Sequence, residues 1–159
     1  MHRVTRVISL SSTDARSGPL TRMKGRPKIG TVGELRFTVE QKNVIEFATD
    51  GMPAVLSTPH LIGWLERTAR ETVAALLESG ERTVGIEIEI RHLAPTPLGA
   101  SVTCLARVVA AEGPLITFHV EARDEHELIV RGLHKRAVIR VESFARRVAR
   151  KAKEQKLNA

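Results

Sequence analysis

The chain has no tyrosine, one tryptophan and four phenylalanines in 159 residues. So few rings argue against a stacking platform for single-stranded nucleic acid. Its single cysteine, Cys104, excludes an internal disulfide framework and a cysteine-rich metal site. Cys104 falls within a strand pattern and reads as a small core filler. No apolar run approaches the roughly 20 residues of a membrane span. The N-terminus lacks the apolar core of a signal peptide. No glycine-rich phosphate loop precedes a helix, and no His/Cys group has metal-ligand spacing. These absences lead us to expect a cytoplasmic protein with no cysteine-rich metal site and no membrane partner.

What is present is a real core and an uneven charge. Apolar residues make up 42% of the chain, enough for one ordinary domain at this length. The net charge of +7 divides into +6 over residues 1–31, +4 over 142–159 and −3 between them. The basicity belongs to the tails, and the slightly acidic middle argues against a nucleic-acid partner. Residues 1–28 are basic and Ser-rich, lack hydrophobic period, and read as a disordered leader. The folded domain is then 29–141, followed by a basic helix or tail over 142–159.

The domain is organised around 58–79, TPHLIGWLERTARETVAALLES. Pro59 suits a first helical position, Ser57 or Thr58 an N-cap, and Gly80 a stop. Leu61, Ile62, Leu65, Ala69, Thr72, Val73 and Leu76 recur at helical spacing. Glu66 is the charged residue at the edge of that stripe. Before the helix, 29–40 alternates as a strand and 43–56 is irregular, with Val44, Ile45 and Phe47 suited to a short strand or lid. After it, 83–92, 101–111, 115–124 and 128–141 alternate as four long strands. Ile86, Ile88 and Ile90 share a face, and His92 has their parity. A lone long helix with this much antiparallel strand is expected to be wrapped by a curled meander sheet.

Two ionisable groups, Glu66 and His92, thus point toward apolar surroundings, where an unpartnered charge is costly. If they meet, their protonation can be tuned for acid–base work. Thr58 adds a hydroxyl at a helix N-terminus, which favours a developing negative charge. Plainer explanations exist for each: a cap for Thr58, a surface ion pair for Glu66, a satisfied core histidine for His92. His60, His119, His126 and His134 read as surface, strand or turn residues rather than ligands.

The stretches VLSTPHLIGWLERTA (55–69), VGIEIEIRHLAPTPLG (84–99) and GLHKRAVIRVESFARRV (132–148) together resemble the fluoroacetyl-CoA thioesterase family of the hotdog fold. The likeness spans roughly residues 29–150. The family places a Thr eight residues before a Glu on the central helix, and a His on the strand entering a Thr-Pro turn. Thr58, Glu66 and His92 occupy those positions. The resemblance implies an α+β hotdog fold and hydrolysis of a short-chain acyl-CoA thioester to a carboxylate and free coenzyme A. It implies no metal and no redox cofactor. Glu66 would act as base or steer water, His92 would polarise the carbonyl or handle protons, and Thr58 would be nucleophile or water-positioner. Gly85 would let the thioester approach a strand N–H. Arg146, Arg147 and Arg150 on the basic helix are candidates for the coenzyme A phosphates. Pro59-His60 and the short 43–56 stretch depart from the family pattern, so the expected acyl group is short but not fluoroacetyl.

A non-catalytic hotdog module that senses acyl-CoA is the alternative, and a nucleic-acid-binding protein using its basic tails is a more distant one. Along a helix, eight residues span about 12 Å. Thr58 and Glu66 of one chain therefore do not reach one carbon unless the preceding chain folds back. A homodimer with sites shared across its interface is expected instead, formed through a sheet edge.

Overall fold

The computed structural model describes residues 3–7 (as backbone), 23–45 and 50–157. Its elements are strands β1 (Arg3–Val7) and β2 (Val32–Thr38), helix α1 (Thr58–Val73), strands β3 (Glu81–His92), β4 (Ser101–Glu112), β5 (Leu115–Arg123) and β6 (Leu128–Arg140), and helix α2 (Val141–Leu157). The strands form one antiparallel sheet in the order β1-β3-β6-β5-β4-β2. The inner face curls around α1, as expected of a hotdog fold. Leu61, Leu65, Ala69 and Val73 of the helix are fully buried against Val102, Cys104, Phe118 and Val120 of the sheet. The Cys104 thiol is pushed up to about 12 by burial, against a smaller opposing pull from the Thr68 hydroxyl, so it is inert core filling.

Several expectations are corrected. Only β4, β5 and β6 form the meander; β3 leaves α1 and lies outside β6, while β2 lies outside β4. Tight links join β4 to β5 and β5 to β6, whereas a long Pro-rich turn lets β3 and β4 separate. Arg3–Val7, inside the stretch read as a leader, pairs with residues 87–91 of β3, whose edge otherwise offers unpaired backbone groups. Residues 8–22 of that stretch lie outside the described residues, as does Phe47 of the expected lid. Val44 and Val55 make only single bridges, to Leu56 and Pro97.

The helix ends earlier than Gly80. Val73 departs from helical geometry at φ −116° and ψ 1°, and a 3-10 turn follows over Ala74–Leu76. Ala74 and Ala75 are exposed and give packing no reason to continue the α-helix. The Glu78 N–H instead donates to the Glu81 carboxylate at 3.1 Å. Gly80, at φ +81°, turns the chain into β3.

Two contacts fix α1 on the sheet. The Trp64 ring stacks on Phe37 of β2 at 4.5 Å and 2°. Gly33 of β2 lies so close to α1 that a Cβ there would stand 2.1 Å from the Thr72 hydroxyl. Strand β3 also carries an irregularity that the alternation did not predict. Gly85 pairs with Arg136 and Glu87 with Lys135, which leaves Ile86 as an extra residue in a β-bulge. Ile86 is consequently half-buried rather than part of the core face, while Ile88 and Ile90 are buried as expected. Among the described residues no helix is long and apolar enough to cross a membrane.

Candidate active site

Helix α1 presents Thr58 at its start and Glu66 two turns on. Ser57 takes the N-cap position, but no side chain caps the first turn. The Ser57 hydroxyl bonds the His60 ring instead, at 2.7 Å. The dipole and N–H groups at this end thus remain available to a developing negative charge.

Strand β3 ends at His92, which faces inward as its parity predicted. The Thr58 hydroxyl and His92 Nδ1 are 2.9 Å apart. His92 Nε2 is buried without a partner among the described residues. Burial lowers the pKa of His92 from 6.5, with a smaller opposing contribution from the Ala94 backbone. The ring is therefore neutral at neutral pH. An alcohol against a neutral imidazole is the arrangement of a nucleophile or bound water beside its base. A cavity of about 410 Å³ opens here, walled by Ile45, Val55 and Leu56 beside Thr58 and His92. That volume suits a small ligand with an apolar group.

Glu66 is not at this end. Its carboxylate, 40% exposed, sits against the β-bulge: a Cβ on Gly85 would lie 2.3 Å from Glu66 Oε1. Gly85 thus carries no side chain because the carboxylate occupies that space. Beneath it lies a buried polar network. The Arg136 guanidinium donates to the Thr83 hydroxyl and Thr83 carbonyl, each at 2.9 Å, and to the Glu66 carbonyl at 3.3 Å. It also lies 3.0 Å from His134 Nε2. His134 Nδ1 lies 2.9 Å from the Glu87 carbonyl, which can only accept, so Nδ1 carries the proton and Nε2 accepts from Arg136. The 3.9 Å approach of His134 Nε2 to the Glu66 carboxylate is then no ion pair. Burial lowers the His134 pKa, as does the neighbouring Arg136 charge, against raising contributions from the Glu87 carbonyl and Glu66.

His134 and Arg136 were missed by the sequence reading. Their signal was parity, since both share a face of β6 with the buried Val130 and Val138. Charge on that strand reads as solvated until the partner at Thr83 is known.

One chain thus brings Thr58 to His92 and Glu66 to Gly85, but does not bring the two pairs together. Gly85 and His92 are seven residues apart, about 23 Å along a strand. Arg146, Arg147 and Arg150 lie on the exposed face of α2. Arg146 pairs with Glu142 and donates to the Ser143 hydroxyl at 3.2 Å. Helix α2 follows Arg140, which pairs with Glu81, eleven residues from His92 and about 36 Å along β3. Among the described residues no group of three His, Cys, Asp or Glu side chains is placed to hold a metal.

A long helix wrapped by this antiparallel sheet is the hotdog plan, here with a hydroxyl–imidazole pair at one end of the helix and a carboxylate on its flank. The family model described as fluoroacetyl-CoA-specific thioesterase matches residues 39–142. A fluoroacetyl-CoA thioesterase of Streptantibioticus cattleyicolor is 37% identical over 106 residues, 67% of this chain and 75% of the relative. The solved structure of the fluoroacetyl-CoA thioesterase FlK superposes with a TM-score of 0.73 at 30% identity, covering 79% of this chain and 97% of that one. A thioesterase superfamily member from Thermus thermophilus gives 0.75 at 26% identity, covering 86% and 100%. The chain belongs to the fluoroacetyl-CoA-specific thioesterase family and is an acyl-CoA thioesterase.

Proposed function

We propose that this enzyme hydrolyses a short-chain acyl-CoA in a site shared by two copies of the chain. The observation that carries the reading is the Thr58–His92 contact in the wall of the 410 Å³ cavity, with His92 Nε2 buried and without a partner among the described residues. Glu66 of the other copy completes the site. The edge of β3 beyond β6 joins them, and the seating of β1 along residues 87–91 illustrates that this edge accepts an added antiparallel strand. In the homodimer the partner's β3 takes that place. A two-fold axis near Ile88 and Glu89 sets the Gly85–Glu87 bulge beside the partner subunit's His92. Glu66 then reaches the thioester that Thr58 and His92 of the partner hold.

In this arrangement Glu66 takes a proton from water, whose oxygen adds to the thioester carbonyl. Thr58 positions that water, or attacks in its place with His92 accepting its proton. In the second case loss of the thiolate leaves an acyl ester on Thr58, and water deprotonated by Glu66 then adds to that ester, breaks the Thr58–acyl bond and returns the proton to Thr58. The oxyanion develops near the uncapped start of α1 and the Gly85 backbone. The C–S bond then breaks, the thiolate of coenzyme A leaves and is protonated, and the acyl group departs as a carboxylate. Arg146, Arg147 and Arg150 are proposed to meet the coenzyme A phosphates across the dimer, since within one chain they lie far from the cavity. A cytoplasmic location belongs to the same proposal.

The test is release of free thiol from a panel of acetyl-, propionyl-, fluoroacetyl- and long-chain acyl-CoA. The expected result is turnover confined to the short esters, best with one other than fluoroacetyl-CoA. No thiol release above buffer from any ester would overturn the reading and favour a binding module. A fully active monomer at assay concentration would overturn the shared site.

A further inference from the structure

The outer face of the sheet, away from α1, carries a second recess. It is a groove of about 400 Å³ across β3, β6 and β5, lined by Glu89, Arg91, His119, Arg131, Gly132 and Leu133. The register sets Arg91 directly opposite Arg131, and Leu133 between Glu89 and His119. Directly opposed side chains on an antiparallel pair stand about 5 Å apart, and like charges there are destabilising. Other cations of this sheet avoid that penalty. Lys135 pairs with Glu87 at 3.1 Å, Arg36 with Glu34 at 2.8 Å, and Arg123 with Glu121 at 4.0 Å. The last pair leaves Glu121, the register partner of Arg131, facing another arginine. Among the described residues neither Arg91 nor Arg131 has a side-chain hydrogen bond or ion pair. Beside them Leu133 is 49% exposed, a large apolar side chain on the floor of a charged groove.

Two unneutralised guanidinium groups a few ångströms apart match an anion with several acceptor oxygens, because each fork can bond two of them. A phosphate fits that description better than a single carboxylate. The groove is far larger than one phosphate, and its remaining wall is Leu133 with the His119 ring. The geometry points to a nucleoside phosphate, its phosphate across Arg91 and Arg131 and its base over Leu133. This groove lies on the opposite face of the sheet from the Thr58–His92 cavity, since Arg91 and His92 point to opposite sides. The ligand is either a free nucleotide or the nucleotide end of coenzyme A reaching around the sheet edge. The second source rests on the proposed thioesterase site; the first does not.

The experiment is calorimetric titration of the full chain with adenosine 3′,5′-bisphosphate, with ADP and with inorganic phosphate. No turnover is needed, so a failed thioesterase assay leaves it interpretable. The expected result is saturable nucleotide binding that weakens as salt rises and is tighter than for inorganic phosphate. The R91Q/R131Q variant is expected to lose at least about tenfold in affinity while keeping or raising the thermal midpoint, because it removes a repulsion. Preference for the 3′,5′-bisphosphate, with a raised KM for acetyl-CoA in the variant, identifies the coenzyme A end. Equal binding of ADP with an unmoved KM identifies a free nucleotide. The proposal is overturned if the wild type binds no nucleotide. It is equally overturned if R91Q/R131Q binds unchanged, or if R146Q/R147Q/R150Q abolishes the binding instead.

Discussion

The two ends of the α1–β3 contact treat buried polar groups in opposite ways. At the Gly85 end, Arg136, His134 and Thr83 satisfy one another, and a proton position is fixed by a carbonyl. At the His92 end, among the described residues, a buried nitrogen has no partner and the Thr58 hydroxyl bonds an imidazole. Leaving a buried acceptor or donor unpaired costs about 1–3 kcal/mol. A fold tolerates that where a ligand supplies the missing bond. The buried network at the satisfied end lies against the Glu66 carboxylate, and the unsatisfied end is the one proposed to receive a substrate.

The sharpest way to break this comparison is to mutate each end and mix the products. T58A and E66Q should each lower kcat by about 10²-fold or more, the scale of positioned acid–base groups. Refolded together, they should recover about a quarter of wild-type activity, since about half the dimers are mixed and each has one intact site. Proven mixed dimers without recovery would place each site within one chain. Next in size is the contrast between R136Q and H92A. Removing Arg136 takes the partner from His134 Nε2 and the Thr83 hydroxyl in a buried site, and should cost about 3 kcal/mol in denaturant unfolding. H92A should cost under about 1 kcal/mol while abolishing turnover, because the fold gains little from that ring. Equal stability losses would erase the distinction drawn above.

A smaller effect is expected for G85A. The added methyl displaces the half-exposed Glu66 carboxylate rather than breaking the core, so kcat should fall about tenfold with the thermal midpoint nearly unmoved. The smallest is the pH dependence of stability. His92 and His134 are both held below 6.5 by burial. Between 6.5 and those lowered values the unfolded chain binds more protons than the folded one. Their stabilisation is therefore complete above 6.5 and is lost as pH falls below it. Denaturant titrations from pH 8 to pH 5 should show this decline, with a shallower slope in H134Q.

Much of this was legible in the sequence because it rests on local pattern. The helical stripe, the strand runs and the inward parity of His92 all depend on residues a few positions apart. Thr58, Glu66 and Gly85 were likewise visible, as a helix start, a charge at the edge of the stripe and a strand glycine. What was hidden depends on distant pairing. Arg136 looks solvated until Thr83, 53 residues away, is found beside it. The helix was drawn too long because apolar spacing at Val73, Leu76 and Leu77 survives a change from α to 3-10 turn. The placement of β3 outside β6 could not be read from tight links, since β3 has none. The basic leader concealed Arg3–Val7 because a five-residue strand paired on an open edge leaves almost no hydrophobic signature.

The bulge at Ile86 sets the phase of the whole strand. Before it the odd residues Glu81, Thr83 and Gly85 face α1; after it the even residues Ile88, Ile90 and His92 do. One surplus residue thus lets a single strand serve Glu66 at one end and Thr58 at the other. Were Ile86 paired in regular alternation instead of bulged, the composition and length of β3 would be unchanged, yet His92 would turn toward the outer face and Arg91 inward. The chain would keep each of its chemical groups and present half of them to the wrong side of the sheet, as a sentence read one letter out of step keeps its alphabet and loses its meaning.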